Sequence, residues 1–508
     1  MRHFFASAVF VLLLCGCASH EYRENQQLLI SAVASKDAKK IKQITSKKNF
    51  LPGEESEYLK ELENGNAQFV NGNYCGAVEW FDKAFETTKN QYTVDISDKI
   101  ASALSLGQDT YYGTSYENSL TRFYRSLANY HVFSEGQCRP VGVMQKKEMS
   151  PSEKRQKLYS ARSSILEWHS WMKSRNIAKD DRLYIDDLLM KLWGAFVSEK
   201  IGDTYNLQTA KHLYEDAKDV VLNRMAVYKL FNTNSDNFVK NLDKPDVRQR
   251  FIDKNNEYVK DIKEFADRQI ERLKHDKKVN LQIILREDGV ALKKVKKKDI
   301  TGISLGARVH LMSVATLVLR NRPIYVELPY VEAKEPKYKY YYRIKKNGSV
   351  VKRNKIVLAE PISEIAYNEF QEKIDSIHAS IMAAAEAKYI ACLTTAYNMI
   401  MSSRSRSSRS YGYVYGRRAS SGVDMNTVLA VAGFEVCRQS IEDSGMYDIR
   451  QWVSLPSNIF VGSDSVGPGA YDLEIVSVNR SNGAEKVIEN RRFNIKNDSD
   501  TEFIDLWV

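Results

Sequence analysis

The sequence lacks several short motifs by which common enzyme classes are recognised. The zinc-protease pattern HExxH, the Walker phosphate loop and the dinucleotide pattern GxGxxG are absent from its 508 residues. The histidines are scattered without ligand spacing, and no CxxC or Cys/His metal spacing follows residue 17. We therefore expect no catalytic residue, no metal site and no cofactor.

Long apolar runs are also missing from most of the chain. Past Gln26, no uncharged apolar run approaches the ~20 residues that a membrane-spanning helix needs. The nearest, Ile377 to Met401, carries Glu386 and Lys388 at its centre, so we predict a buried helix there. A membrane-spanning helix is thus not expected past Gln26.

Cysteine is scarce, with six residues in all. Four of them follow the first twenty residues: Cys75, Cys138, Cys392 and Cys437. The pairs Cys75–Cys138 and Cys392–Cys437 would each stay within one half of the chain, and free buried thiols are an equally open alternative.

The N-terminus has a charged start and a short apolar run. Arg2 and His3 precede an uncharged stretch from Phe4 to Leu14, as in a secretory signal. Leu14-Cys15-Gly16-Cys17 then resembles the bacterial lipobox, which implies cleavage after residue 16 and lipids on Cys17. An ordinary signal peptide or a short N-terminal membrane helix is the alternative. Ala18 and Ser19 after the cysteine, with no Asp, favour the outer membrane and a periplasmic position.

The formal net charge is +11, which suits an anionic partner. For an exported chain, lipid headgroups or acidic envelope polymers fit this charge, whereas nucleic acid is not expected. The candidate anion-binding residues are Lys293, Lys294, Lys296, Lys297, Lys298, Arg404, Arg406, Arg409, Arg417 and Arg418. The alternative is that these residues form a solvated strand edge and a flexible loop without function.

The first half has helical periodicity with small residues at repeat spacing. Residues 58–91 match the tetratricopeptide pattern, with a turn at Gly72-Asn73-Tyr74, and residues 188–217 form a second, looser unit. The residues predicted to pack the repeats are Gly65, Ala67, Phe69, Gly72, Tyr74, Ala77, Phe81, Ala84, Gly194, Ala210, Tyr214 and Ala217. A plain helical bundle is the alternative, since aromatic residues fill the core in both.

From residue 279 the pattern changes to strands. We predict strands over 279–358 and 452–508, with hairpin turns at Asp288-Gly289 and Asn347-Gly348. Further turns are predicted at Gly467-Pro468-Gly469 and Ser481-Asn482-Gly483. Helices are predicted over 362–401 and 425–442, separated by a flexible loop rich in Arg, Ser and Tyr over 402–423. The predicted organisation is therefore a signal peptide over 1–16, a helical domain over 17–277 and an α+β domain over 278–508.

The stretch Asp448-Ile449-Arg450-Gln451-Trp452-Val453-Ser454-Leu455-Pro456 is the most specific motif, and Gly467-Pro468-Gly469 follows it. Together with the lipobox and Leu62-Glu63-Asn64-Gly65, it resembles a family of bacterial outer-membrane lipoproteins of unknown molecular role. The resemblance implies a tetratricopeptide-like first half and a β-containing second half. Within the motif, we predict that Arg450 stacks on Trp452 and pairs with Asp448, which would attach the tail to its domain.

The predicted fold class is mainly α with a C-terminal α+β part. The leading hypothesis is a lipid-anchored periplasmic scaffold that binds an envelope protein or peptide in the groove of its helical repeats, without catalysis. A module that binds an anionic envelope polymer or lipid through the basic residues is the second hypothesis. A hydrolase acting on the cell wall is the third.

Overall fold

A computed structural model describes residues 24–47, 50–51, 54–91, 110–143, 145–178, 186–223, 244–275, 277–299, 325–332, 334–407, 435, 438, 441, 449–497 and 500–508. The lipobox with Cys17 lies outside these residues, as do residues 408–423 of the Arg/Ser/Tyr loop. The predicted helix over 425–442 lies outside them too, apart from three helical positions.

Helices form the first half of the chain. They are α1 (residues 24–34), α2 (Ala38–Thr45), α3 (Glu57–Val70), α4 (Tyr74–Gln91), α5 (Ser115–Glu135), α6 (Pro151–Ala178), α7 (Leu188–Ile201), α8 (Thr204–Asn223), α9 (Pro245–Lys254) and α10 (Asn256–Lys274). From α3 to α8, each helix packs against the next one in the chain, and α8 packs against α10. The predicted mainly helical first half is confirmed.

Local capping sets where these helices begin and end. Thr114 and Glu117 form a capping box at the start of α5, which satisfies backbone N–H groups of the first turn. Gly136 and Gly202 end α5 and α7 in the left-handed conformation that glycine adopts without strain. Helix α6 begins at Pro151 itself, because proline is well suited to the first helical position.

The second half contains most of the strands. A short β1 (Gln137–Cys138) and β2 (Lys147–Glu148) pair within the first half. The others are β3 (Leu281–Glu287), β4 (Lys293–Asp299), β5 (Tyr325–Val331), β6 (Tyr338–Lys346), β7 (Ser349–Glu360), β8 (Asn458–Asp464), β9 (Gly469–Asn479), β10 (Glu485–Ile495) and β11 (Glu502–Trp507).

Seven of these strands form one mixed sheet in the order β10-β9-β6-β7-β8-β3-β11. Its two outer strands touch, and Arg491 Nη1 lies 3.2 Å from Glu502 Oε1, so the sheet curls around its own apolar face. Tyr342 is buried on that face and donates to Asp464 Oδ2 at 2.8 Å. The predicted C-terminal α+β part is confirmed.

Strands β4 and β5 pair with each other and lie beside α11 (Ile362–Ser407). Val326 and Leu328 of β5 pack against Ile381 and Ala385 of this helix. His378 Nε2 is also 2.9 Å from the carbonyl oxygen of Pro329. We call β4, β5 and α11 the arm.

The helices and the curled sheet share one continuous apolar core. It includes Phe81 and Trp193 from the helices, Ile284 and Phe460 from the sheet, and Trp452 between them. The domain boundary near residue 277 stays a prediction, and the buried core crosses it.

Three predicted boundaries or turns are wrong. Asp288-Gly289 does not close a hairpin, because β3 pairs with β8 and β11 while β4 pairs with β5. Residues 452–457 are not strand, and helix α11 continues through 402–407, where a loop was predicted. The hairpins at Asn347-Gly348 and at residues 481–483 are confirmed.

Candidate functional site

Residues 449–457, which include the described part of the motif, lie between the helices and the sheet, and we call them the linking segment. On its helical side, the Trp452 N–H donates to Glu117 Oε1 and the Val453 N–H to Glu63 Oε1, both at 2.7 Å. Ser454 Oγ donates to Glu63, and Asn66 Nδ2 donates to the Ser454 carbonyl at 2.6 Å. Polar groups of α3 and α5 therefore bind this segment as a groove would bind a peptide.

The sheet side holds the same segment through backbone groups. The Val290 N–H donates to the Leu455 carbonyl at 3.0 Å, and the Ser457 N–H donates to the Glu287 carbonyl at 2.8 Å. Gln451 Nε2 donates to the Ala291 carbonyl at 2.6 Å. The segment thus joins the two halves, and it covers the side of α3 and α5 that faces the sheet.

Two buried carboxyl groups anchor the linking segment. Glu63 and Glu117 are almost fully buried, and each accepts a backbone N–H from the segment. Burial raises the pKa of Glu63 to about 8, although hydrogen bonds from Ser454 and Val453 act in the opposite direction. Both oxygens of Glu63 are occupied by these bonds, so its role here is to hold the segment rather than to react.

The predicted stack of Arg450 on Trp452 is not formed. The Arg450 guanidinium lies 5.5 Å from the centre of the Tyr111 ring, and its Nη1 donates to the Glu55 carbonyl at 3.1 Å. Trp452 instead packs against Phe81 and Tyr124 at 6.0 and 5.6 Å between ring centres. Asp448 lies outside the described residues. The motif attaches to helices of the first half, which the sequence alone did not indicate.

A second buried polar cluster joins α5 to the sheet. Asp505 of β11 lies 2.9 Å from both His131 Nε2 and Arg286 Nη2. Burial opposes ionisation of Asp505, but Arg286 and His131 outweigh it and hold its pKa below the usual value. The His131 ring stacks on Tyr74 at 3.9 Å. Every member already has a partner within the chain, as expected for a structural ion pair.

The residues predicted to pack the repeats lie in the helical core. A Cβ on Gly65 would be 2.6 Å from Phe81 Cε1, so α3 and α4 approach closely at this glycine. A Cβ on Gly194 would be 3.1 Å from Ile165 and 3.2 Å from Leu213, and Gly72 has φ +67° in the turn between α3 and α4. Ala67, Phe69, Ala77, Phe81, Ala84, Ala210, Tyr214 and Ala217 are buried, and Tyr74 is half-buried.

The structure places the five candidate lysines on β4. Lys293 Nζ donates to the Arg450 carbonyl at 3.0 Å, and Lys294 pairs with Glu332 at 2.6 Å. Lys296, Lys297 and Lys298 are exposed. Arg404 and Arg406 fall on the last turns of α11, where side chains are not described. Arg409, Arg417 and Arg418 lie outside the described residues. Anion binding by these arginines together with the lysines therefore stays a prediction.

Cys75 and Cys138 form a disulfide, with 5.4 Å between their Cα atoms. It connects the start of α4 to β1, just after α5 ends. This is one of the pairings that the sequence left open. The side chain of Cys392 and the whole of Cys437 lie outside the described residues.

An exposed aromatic surface on the outer helices was not predicted. Tyr159 and Leu166 of α6 are 41% and 45% exposed, and Tyr205 of α8 is 67% exposed. Arg162 lies between them, 5.5 Å from the Tyr205 ring centre, and Arg155 lies 5.8 Å from the Tyr159 ring centre. We call these five residues the outer patch. Its sequence signal is the spacing of Tyr159, Arg162 and Leu166, which share one line on the helix.

One pentapeptide of the sequence matches a motif that carries a catalytic serine in other proteins. Gly302-Ile303-Ser304-Leu305-Gly306 fits the GxSxG pattern of serine hydrolases, which requires a strand before the serine and a helix after it. The pentapeptide lies outside the described residues, so the expectation of no catalytic residue stays a prediction. Within the described residues, no group of three or more His, Cys, Asp or Glu side chains could hold a metal ion.

Comparisons with protein-family models, with curated proteins and with solved structures find no match to this chain. Of the helices that the structure describes, none is long and apolar enough to cross a membrane.

Proposed function

We propose that the protein is a lipid-anchored periplasmic scaffold of the outer membrane that binds an envelope protein and does not act as an enzyme. The lipid anchor rests on the lipobox at Cys17, and a disulfide between Cys75 and Cys138 is in keeping with an oxidising compartment. The tetratricopeptide-like relationship belongs to the same proposal. It is supported by the antiparallel pair α3–α4 and by the close approach at Gly65.

The sheet-facing side of α3 and α5 is covered by the linking segment, so a partner in that groove would have to displace Trp452 and its neighbours. The outer patch is open to solvent. Tyrosine and arginine are enriched in the energetic centres of protein interfaces, because they combine large apolar area with directed polar contacts. The single observation that carries the proposal is this exposed Tyr/Leu/Arg cluster around Tyr205.

Crosslinking in intact envelopes, followed by purification of the protein, tests this function. The double variant Tyr205→Ser/Leu166→Ser should lose a specific partner that the wild type retains. The control Val350→Ser/Val351→Ser removes two exposed apolar residues from β7 and should keep it. Recovery of no specific partner, or equal recovery by both variants, would contradict the proposal.

A further inference from the structure

The strand β4 of the arm carries an unusual density of lysine. In the described part of the chain it pairs only with β5, so among these residues it is an edge strand. Lys296 and Lys298 lie opposite Leu328 and Val326 on one face of the ladder, while Lys297 lies on the other face. Exposed lysines therefore lie on both faces of the ladder. Lysine on an edge strand also prevents pairing with other chains, which by itself would account for the lysine content of β4.

The position of the strand relative to the N-terminus adds a second observation. Gln26 Nε2 donates to the Ile449 carbonyl at 3.4 Å, and Lys293 Nζ donates to the carbonyl of the next residue, Arg450. The start of α1 and the start of β4 therefore contact adjacent residues of the linking segment. Gln26 lies nine positions after Cys17, which is at most ~30 Å of extended chain.

The far end of the helical half is distinct from this one. Glu117, at the start of α5, binds Trp452 beside the arm. Cys138, Lys146 and Lys147 follow the other end of α5, which has 21 residues and is therefore ~30 Å long. The segment that carries Cys17 therefore joins the helical half at the end beside the arm, and not at the end with Lys146 and Lys147.

We infer that the exposed lysines Lys296, Lys297 and Lys298 bind the anionic phospholipid headgroups of the membrane in which Cys17 is anchored. This inference rests on the proposed lipid anchor. Each lysine close to an anionic bilayer strengthens binding by roughly 5-fold, so three of them provide about 100-fold. Tyr325 lies opposite Asp299 at the far end of the ladder and is partly exposed, and tyrosine is favoured at the headgroup level. The arm would then orient the helical half relative to the membrane.

Amine-reactive footprinting of the wild-type lipidated protein tests the inference. The protein is mixed with vesicles of phosphatidylcholine alone or with added phosphatidylglycerol, at low and at high salt. Labelling of Lys296, Lys297 and Lys298 should fall severalfold only with the anionic vesicles and recover at high salt. Labelling of Lys146 and Lys147 should not change. Equal labelling of all five lysines in both vesicle types would overturn the inference.

Variants of the full chain measure the size of the effect. In a Cys17→Ser background that carries no lipid, Lys296→Gln/Lys297→Gln/Lys298→Gln should weaken binding to anionic vesicles about 100-fold. The control triple Lys146→Gln/Lys147→Gln/Lys211→Gln removes the same charge elsewhere and should change it little. Similar losses in both triples would show an effect of net charge alone and overturn the inference.

The possible outcomes test the headgroup contact of the arm and the lipid anchor separately. If the wild-type protein fails to float with neutral vesicles, the lipid anchor is contradicted, whatever happens to the lysines. If it floats with both vesicle types but the three lysines stay fully reactive, only the headgroup contact is contradicted. Protection in native envelopes but not with protein-free anionic vesicles would assign β4 to a macromolecular partner and would also overturn the inference.

Discussion

Replacing Gly65 with alanine sets two well-understood effects against each other. Alanine is favoured over glycine inside a helix by about 1 kcal/mol, which alone would stabilise α3. However, the new Cβ would lie 2.6 Å from Phe81 Cε1, with two more ring atoms of Phe81 within 3.0 Å. Contacts this short do not occur in real proteins, so the ring or a helix must move.

The Phe81 ring has little freedom to give way. It is fully buried, and it packs against Tyr124 and Trp452 at 5.9 and 6.0 Å between ring centres. Overpacking of such a core costs about 1–3 kcal/mol, and the severity of this clash places Gly65→Ala toward the upper end. After the helix-propensity gain is subtracted, we expect a net destabilisation of about 1–2 kcal/mol.

Gly194→Ala is the matched control within the same helical half. Gly194 also lies inside a helix, but the new Cβ would lie 3.1 and 3.2 Å from side-chain methyl groups of Ile165 and Leu213. These methyl groups need to move only a few tenths of an ångström. We expect this variant to be neutral or slightly more stable than the wild type. The assay is denaturant unfolding, compared through midpoints at equal slope.

A double variant tests the cause. Gly65→Ala combined with Phe81→Leu should be more stable than the sum of the two single effects predicts, because the smaller side chain removes the clash. A Gly65→Ala protein as stable as the wild type would refute the reasoning. Equal changes in Gly65→Ala and Gly194→Ala would also refute it, because they would show that helix propensity alone decides the result.

Three further variants probe buried polar groups and the disulfide. Burial raises the pKa of Glu63 from 4.5 to about 8, so its contribution to the free energy of unfolding should fall by about 3–5 kcal/mol as pH rises between these values. Glu63→Gln should flatten that decline, and an unchanged pH profile would contradict the raised pKa of Glu63. Asp505→Ala leaves the Arg286 charge buried without its carboxylate, so unfolding midpoints should show a loss of about 3–5 kcal/mol, and a loss well below this range would count against a buried ion pair. Cys75→Ser should lower the free energy of unfolding by about 2–4 kcal/mol, since the bond to Cys138 closes a long loop. Reductant should destabilise the wild type but not the variant, and equal sensitivity of both proteins to reductant would contradict the pairing.

Turn residues predicted hairpins only where the flanking strands were free to pair. Asn347 and Gly348 both adopt positive φ and close the β6–β7 hairpin, as their residue types indicate. Asp288 also has positive φ, yet β3 and β4 diverge after it. Strand β3 is buried on both faces between β8 and β11, and this pairing with residues more than 170 positions away prevents a local hairpin.

The candidate surfaces were predictable to different extents. The exposed lysines of β4 were visible in the sequence, because five lysines within six residues are incompatible with a buried strand. The exposure of the outer patch was not visible in the sequence, because Tyr159 and Tyr205 are tyrosines like the buried tyrosines of neighbouring helices. Only the packing distinguishes an exposed aromatic residue from a core one.

By itself, the sequence determined the positions of most helices, the close approach at Gly65 and the mainly helical first half. These follow from local periodicity, capping and side-chain size, which act between residues a few positions apart. The tertiary structure alone decided that the motif around Trp452 binds Glu63 and Glu117 and covers the side of the helices that faces the sheet. Those contacts join residues more than 330 positions apart, so the sequence around one residue does not indicate which distant residue it contacts.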